Sequence, residues 1–127
     1  MRVIIVGAGE VGYHLAERLS QENQDVVVVE TDPERAERAS ELLDVLTVVG
    51  NGASIPVLEE AGVRDARILL AVTSQDEVNL ISCLAATRLG VDGATLWRAI
   101  AERLSAWIDL QLLLGSTIAS IGSFGML

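Results

Sequence analysis

Lysine is absent from this chain of 127 residues, cysteine and histidine occur once each, and aromatic residues make up only 3%. A single cysteine, Cys83, excludes an internal disulfide and suits a reducing compartment. Among apolar neighbours that thiol reads as packing. One histidine, with one cysteine elsewhere, leaves no pair at the spacing a metal site needs, so no metal is expected. The formal charge is −9, all basic residues are Arg, and none are clustered. That balance argues against a nucleic-acid partner, because phosphate backbones attract grouped cations. With few aromatics the core must come from Val, Leu, Ile and Ala, a composition suited to a parallel sheet covered on both faces. The opening "MRVIIVGAGE" has too short an apolar run for a signal peptide and no small-residue cleavage site, so a cytoplasmic location is expected. Charge is also missing from 110 to 127, but three glycines and several Ser, Thr and Gln residues make that stretch a poor membrane span. A tail, an edge strand or a disordered remnant is the expected reading.

What is present alternates. "RVIIVG", "DVVVVE", "VLTVVG" and "ARILLAVTS" are apolar runs of strand length, and each is followed by a helical pattern. In the first helix Val11, Leu15 and Leu19 recur on one face. In the second, Asp32 stands at the N-cap with Pro33 behind it, Ala36, Ala39 and Leu43 face inward, and Glu34 and Arg38 are spaced to pair outside. Gly62 ends a short third helix and Gly90 a fourth. Four strand-helix repeats with short connections and right-handed crossovers predict an α/β fold. It is a single-domain, Rossmann-like doubly wound parallel sheet in three layers, α/β/α. The core is expected over 1–91, with 92–127 a divergent tail holding a possible fifth strand, "ATLWRAI", and a helix.

Three glycines follow the first strand in the pattern G-x-G-x-x-G. Gly7 suits a tight turn, Gly9 leaves room for backbone to approach a pyrophosphate, and Gly12 lets the helix pack closely on the strand. With Ala8, Glu10 and Val11 between them, they form a main-chain cradle at a helix N-terminus, where anions are favoured. Glu30 ends the second strand at about the 20-residue offset expected of the acid that binds ribose hydroxyls. Its charge favours NAD over NADP. Thr31 and Asp32 adjoin it, Asp32 equally explained as a helix cap. Arg35 either meets a phosphate or faces solvent. "GNGAS", with Asn51 and Gly52, approaches the adenine side or is a plain turn in which Ser54 caps the next helix. "VTSQDEVN" brings Thr73 and Ser74 near the middle of the ligand, while Asp76 and Glu77 suit the first turn of a helix.

A dehydrogenase needs a proton-transferring group beside the hydride site. Tyr13 and His14 lie one turn into the first helix, behind the cradle, and no substrate domain follows. No catalytic residue is therefore expected. The fourth helix carries apolar residues most of the way round: Val78, Leu80, Ile81, Cys83, Leu84, Ala85, Ala86 and Leu89. One stripe against a sheet needs fewer, so the tail or another subunit is expected to cover its second face.

"VIIVGAGEVGYHLAERLS", "VVVVETDPER", "VVGNGASIPVLEEAGV" and "ARILLAVTSQDEVNLISCLAATRLG" resemble, in order and spacing, the amino-terminal nucleotide-binding domain of Trk-type potassium-uptake regulators, the TrkA-N or RCK N-terminal family. The resemblance implies a cytosolic regulatory subunit that binds NAD or NADH, or in some members ATP or ADP. It implies a homo-oligomer, dimer or tetramer, peripheral at the inner face of the membrane, whose shape changes with its ligand and gates a membrane potassium transporter. By position, Gly7, Gly9 and Gly12 would hold the diphosphate and Glu30 the ribose, and Thr73 would line the cleft. Asn51 stands where the family usually has Asp near the adenosine. Past Asp92 only Arg98 aligns with the family's pattern, and no carboxy-terminal ligand-binding lobe is expected within these 127 residues.

Overall fold

The computed structural model describes residues 2–91. Four strands, β1 (Arg2–Val6), β2 (Asp25–Glu30), β3 (Leu46–Val49) and β4 (Ala66–Ala71), form one parallel sheet in the order β3-β2-β1-β4. The helices are α1 (Glu10–Gln21), α2 (Pro33–Leu42), α3 (Ile55–Glu60) and α4 (Asp76–Arg88). A 3-10 turn, Val63–Asp65, leads into β4. The chain winds outward from β1 to β3, then crosses back to β4 on the other side of β1. Right-handed crossovers therefore put α1 and α2 on one face and α3 on the other, the Rossmann-like doubly wound arrangement.

The central strands explain their own burial. Val3, Ile4, Ile5 and Val6 are all buried, and they pair with Val26 to Val29 on one side and Ile68 to Ala71 on the other. A strand with no polar alternation can be stable only with cover on both faces. Three further main-chain bonds carry the ladders past the strand ends: Gly7 N–H to the Val29 carbonyl (2.8 Å), Val72 N–H to Val6 (2.9 Å) and Gly50 N–H to Glu30 (2.9 Å). Each holds a loop root at the carboxyl edge of the sheet.

The helices differ from the sequence pattern in three places. The buried line of α1 is Gly12, Ala16 and Leu19, with Val11 and Leu15 half-buried beside it. The reason is close packing, since the helix approaches most nearly at its smallest residues. On α2, Ala36 and Ala39 are buried and Asp32 caps as expected, accepting from Glu34 N–H at 3.0 Å. Arg38, however, does not join Glu34; its guanidinium lies 4.8 Å from the centre of the Tyr13 ring, an aromatic face that competes well with an exposed carboxylate. On α4 the buried residues are Asn79, Ser82, Cys83 and Ala86. Leu80, Ile81 and Leu84 remain exposed, at 41, 48 and 59%. Gly62 and Gly90, at φ +80° and +108°, end α3 and α4 in the left-handed region. The expected fifth strand, its helix, Arg98 and the rest of the tail lie outside the described residues.

Candidate functional site

The carboxyl ends of all four strands open onto one cleft of about 550 Å³. It is lined from the loop after β1 by Gly7, Gly9, Glu10 and Val11, and from β2 by Glu30 and Thr31. The loop after β3 adds Asn51 and Gly52, and the loop after β4 adds Thr73 and Ser74. The position is the topological switch point, where crossovers diverge to opposite faces and leave a crevice.

The three glycines of the first loop meet different demands. Gly7 has φ +109°, which a side chain rarely tolerates. A Cβ on Gly12 would collide with the carbonyl oxygen of Gly7, so that position is a matter of packing. Gly9 is neither strained nor crowded. It is the N-cap of α1 at φ −70°, and a Cβ there would find only Arg35 Nη1, at 3.9 Å. Behind it, the first-turn N–H groups of α1 have no side-chain cap. Together they present donors and the positive end of the helix dipole to the cleft.

Glu30 is 7% exposed, and both its oxygens are engaged. Oε1 accepts from Ala8 N–H at 2.9 Å, while Oε2 accepts from Asp32 N–H at 2.9 Å and from the Thr31 hydroxyl at 3.2 Å. Three donors hold the carboxylate at the rim, and a fourth acceptor position remains on Oε1 for a ligand hydroxyl. Ala8, Gly12 and Asp32, the other expected site residues, do not line the cleft. Ala8 is buried with its N–H given to Glu30, Gly12 is under the turn, and Asp32 is occupied as the cap of α2. Arg35 does line it, although it is exposed as well.

In the third loop Asn51 Oδ1 accepts from Ala53 N–H at 2.9 Å. That bond closes the turn. Ser54 stands at the N-cap of α3, but its side chain makes no capping bond. A Cβ on Gly52 would run into Val6 and crowd the Ser82 hydroxyl, so this loop lies flat against the end of β1 and against α4.

The fourth loop depends on a residue that sequence reasoning passed over. Asn79, 4% exposed in the first turn of α4, reaches back to Thr73 with its whole amide. Its Oδ1 accepts from Thr73 N–H (2.9 Å) and the Thr73 hydroxyl (2.7 Å), and its Nδ2 donates to the Thr73 carbonyl (3.0 Å). Its only trace in the sequence is a polar residue within an apolar helical run. Nearby, burial pushes the Cys83 thiol up to about 12, against a weaker opposite effect from a backbone bond with Ala71. The thiol is inert packing. Tyr13 and His14 stack edge to face on α1, 5.9 Å apart, and neither lines the cleft. Among the described residues no group of three or more His, Cys, Asp or Glu is placed to hold a metal. Nor is any helix there long and apolar enough to cross a membrane.

The sequence model of the TrkA-N domain matches residues 3–108, so the family match extends beyond Asp92, past which the motifs aligned only Arg98. A Trk system potassium uptake protein TrkA homolog from Archaeoglobus fulgidus is 56% identical over 90 residues, covering 71% of this chain and 20% of that protein. The chain thus spans about a fifth of the length of the curated relatives it matches. Among solved structures, the TrkA-N domain of the inner membrane protein ybaL from Escherichia coli superimposes with a TM-score of 0.66 at 26% identity, covering 72% of this chain and 67% of that one. The GsuK channel bound to NAD gives 0.62 at 27% identity, over 70% of this chain and 16% of the channel. On the family match, the shared fold and the glycine turn that opens its cleft, this chain belongs to the TrkA-N domain family.

Proposed function

We propose that the chain is a nucleotide-sensing regulatory domain of a potassium-uptake system. It takes NAD or NADH, or alternatively ATP or ADP, in the cleft and does no chemistry on it. The carrying observation is Gly9. Gly7 answers to backbone geometry and Gly12 to packing, whereas Gly9 is neither strained nor crowded, and the fold favours glycine there only through its N-cap position. An unfilled Cβ position above uncapped helix N–H groups is what a diphosphate needs to approach main chain. On this reading Gly7, Gly9, Glu10 and Val11 hold the diphosphate, and Glu30 with Thr31 meets the ribose. Asn51 and Gly52 flank the adenosine, with Thr73 and Ser74 along the middle.

The names of the relatives support the potassium-uptake role, and the NAD-bound channel supports the ligand class. The partner is then a membrane potassium transporter, with the domain held in the cytoplasm at the inner face as part of a homo-oligomer. A ligand shifts such an assembly only through unequal affinity for two of its shapes, so the members of a ligand pair must bind them differently. An oxidoreductase most often sets a His, Tyr, Lys or Cys beside the hydride site, whereas the ionisable side chains lining the described part are two carboxylates, Glu10 and Glu30, and Arg35.

Gly9→Ala separates the fold from the ligand. Unliganded, the variant should lose no more than about 1 kcal/mol, the cost of placing alanine at an N-cap. Wild-type protein should gain melting temperature with saturating NAD, NADH, ATP or ADP, and the variant should lose that gain. Equal nucleotide-dependent shifts in both proteins would remove the proposal, and sustained hydride turnover with a simple substrate would replace it by an enzyme.

A further inference from the structure

The nucleotide-holder reading leaves an electrostatic difficulty inside the cleft. Its lining carries two carboxylates, Glu10 and Glu30, while the ligand proposed for it is itself an anion. Glu30 already has three donors, but Glu10 stands exposed in the first turn of α1, on the rim a diphosphate would face. Among the described residues the one cation lining the cleft is Arg35.

Arg35 is poorly explained by the fold. It lies in the first turn of α2, where the helix dipole disfavours positive charge. Its ion pair is with Asp32, Nε to Oδ2 at 3.8 Å, long and between two half-exposed side chains, and such pairs contribute little. Its Nη1 meanwhile reaches across from α2 to stand 3.9 Å from the point a Cβ on Gly9 would occupy. The guanidinium is therefore poised beside the gap that the glycine leaves open. A planar fork of N–H donors suits phosphate oxygens better than any other side chain.

We propose that Arg35 is the specificity-determining cation of this cleft. It pairs with the diphosphate from the α2 side while the N–H groups of α1 take the other side, so the cleft selects nucleotides with two linked phosphates over those with one or none. The inference rests on the nucleotide-holder reading. It goes further in naming the residue that recognises the phosphates and the ranking of ligands that follows. Pairing also draws Arg35 away from Asp32 and offsets the charge of Glu10.

Calorimetric titration with ADP, AMP and adenosine tests the ranking in wild type, Arg35→Gln and Arg35→Lys. Wild-type protein should bind ADP more tightly than AMP, and adenosine most weakly. Arg35→Gln should weaken ADP by about tenfold to a hundredfold, the loss expected of a charge-assisted pair, and adenosine hardly at all. Arg35→Lys should fall between, because it keeps the charge without the fork. All three proteins should melt alike without ligand, since Arg35 is exposed. Undiminished ADP binding by Arg35→Gln, alongside sound wild-type binding, would overturn the Arg35 assignment and leave the nucleotide site standing. A wild-type protein that binds none of the three, and neither NAD nor NADH in the same titration, would bring down both.

Discussion

After β1 the chain turns mainly on what its glycines omit: Gly7 takes a left-handed φ of +109°, Gly12 lets α1 rest on the Gly7 carbonyl, and the side-chain bond described there is Glu30 Oε1 accepting from Ala8 N–H. After β4 it turns on side chains. Thr73 is held there through its N–H, hydroxyl and carbonyl by the amide of Asn79, six residues on. Both loops end at the same cleft, one shaped by atoms left out and the other by atoms put in. A turn of the first kind forbids substitution by steric overlap. One of the second kind resists it only as far as its hydrogen bonds are worth.

The comparison breaks most sharply at Gly12→Ala, whose methyl group has no space that the Gly7 carbonyl does not already fill. Overpacking against backbone should cost about 3 kcal/mol or more, read as a lower urea midpoint. A wild-type midpoint would mean that α1 is not seated through this residue. Asn79→Ala should cost less, about 1–3 kcal/mol, by stranding the Thr73 N–H away from its acceptor. Hydrogen exchange should then quicken at Thr73 while β1 stays protected, and unchanged exchange there would show that the loop holds itself.

The smallest effect concerns how α4 seats on β4. Cys83 is pushed up from 9.0 to about 12 by burial, so the unfolded chain loses this proton at lower pH than the folded one. Its contribution is complete below about pH 9 and declines as pH climbs toward 12. Cys83→Ala should flatten that part of the alkaline stability profile. Coincident profiles for the two proteins would mean that the thiol ionises as freely in the folded state as in the unfolded.

The same contrast explains what could be read from the chain. The alternation of strands and helices along the chain and the glycine turn follow from local facts: apolar runs too uniform to face water, a proline behind Asp32, glycines at fixed spacing. Glu30 was legible because it ends an apolar strand. The Asn79 clamp was not, since a hydrogen bond across six residues leaves no periodic mark. The buried face of α4 was hidden for a related reason. Ser82 bonds its hydroxyl to the Val78 carbonyl at 2.6 Å and so can be buried, while Leu80 and Leu84 are left outside. Hydropathy cannot anticipate a polar group that finds its partner within its own helix. Arg35 was ambiguous for the opposite reason: it is exposed and borders the cleft at once.

Glu30 fastens two helix entrances with one carboxylate, Ala8 before α1 on one oxygen and Asp32 before α2 on the other. Removing that side chain would loosen both entrances together, so lost nucleotide affinity in such a variant would mix a missing contact with a slackened frame. A sugar hydroxyl donating to the open position on Oε1 would pull on the carboxylate that both helices share, carrying news of occupancy from the crevice to the outer layer of the domain.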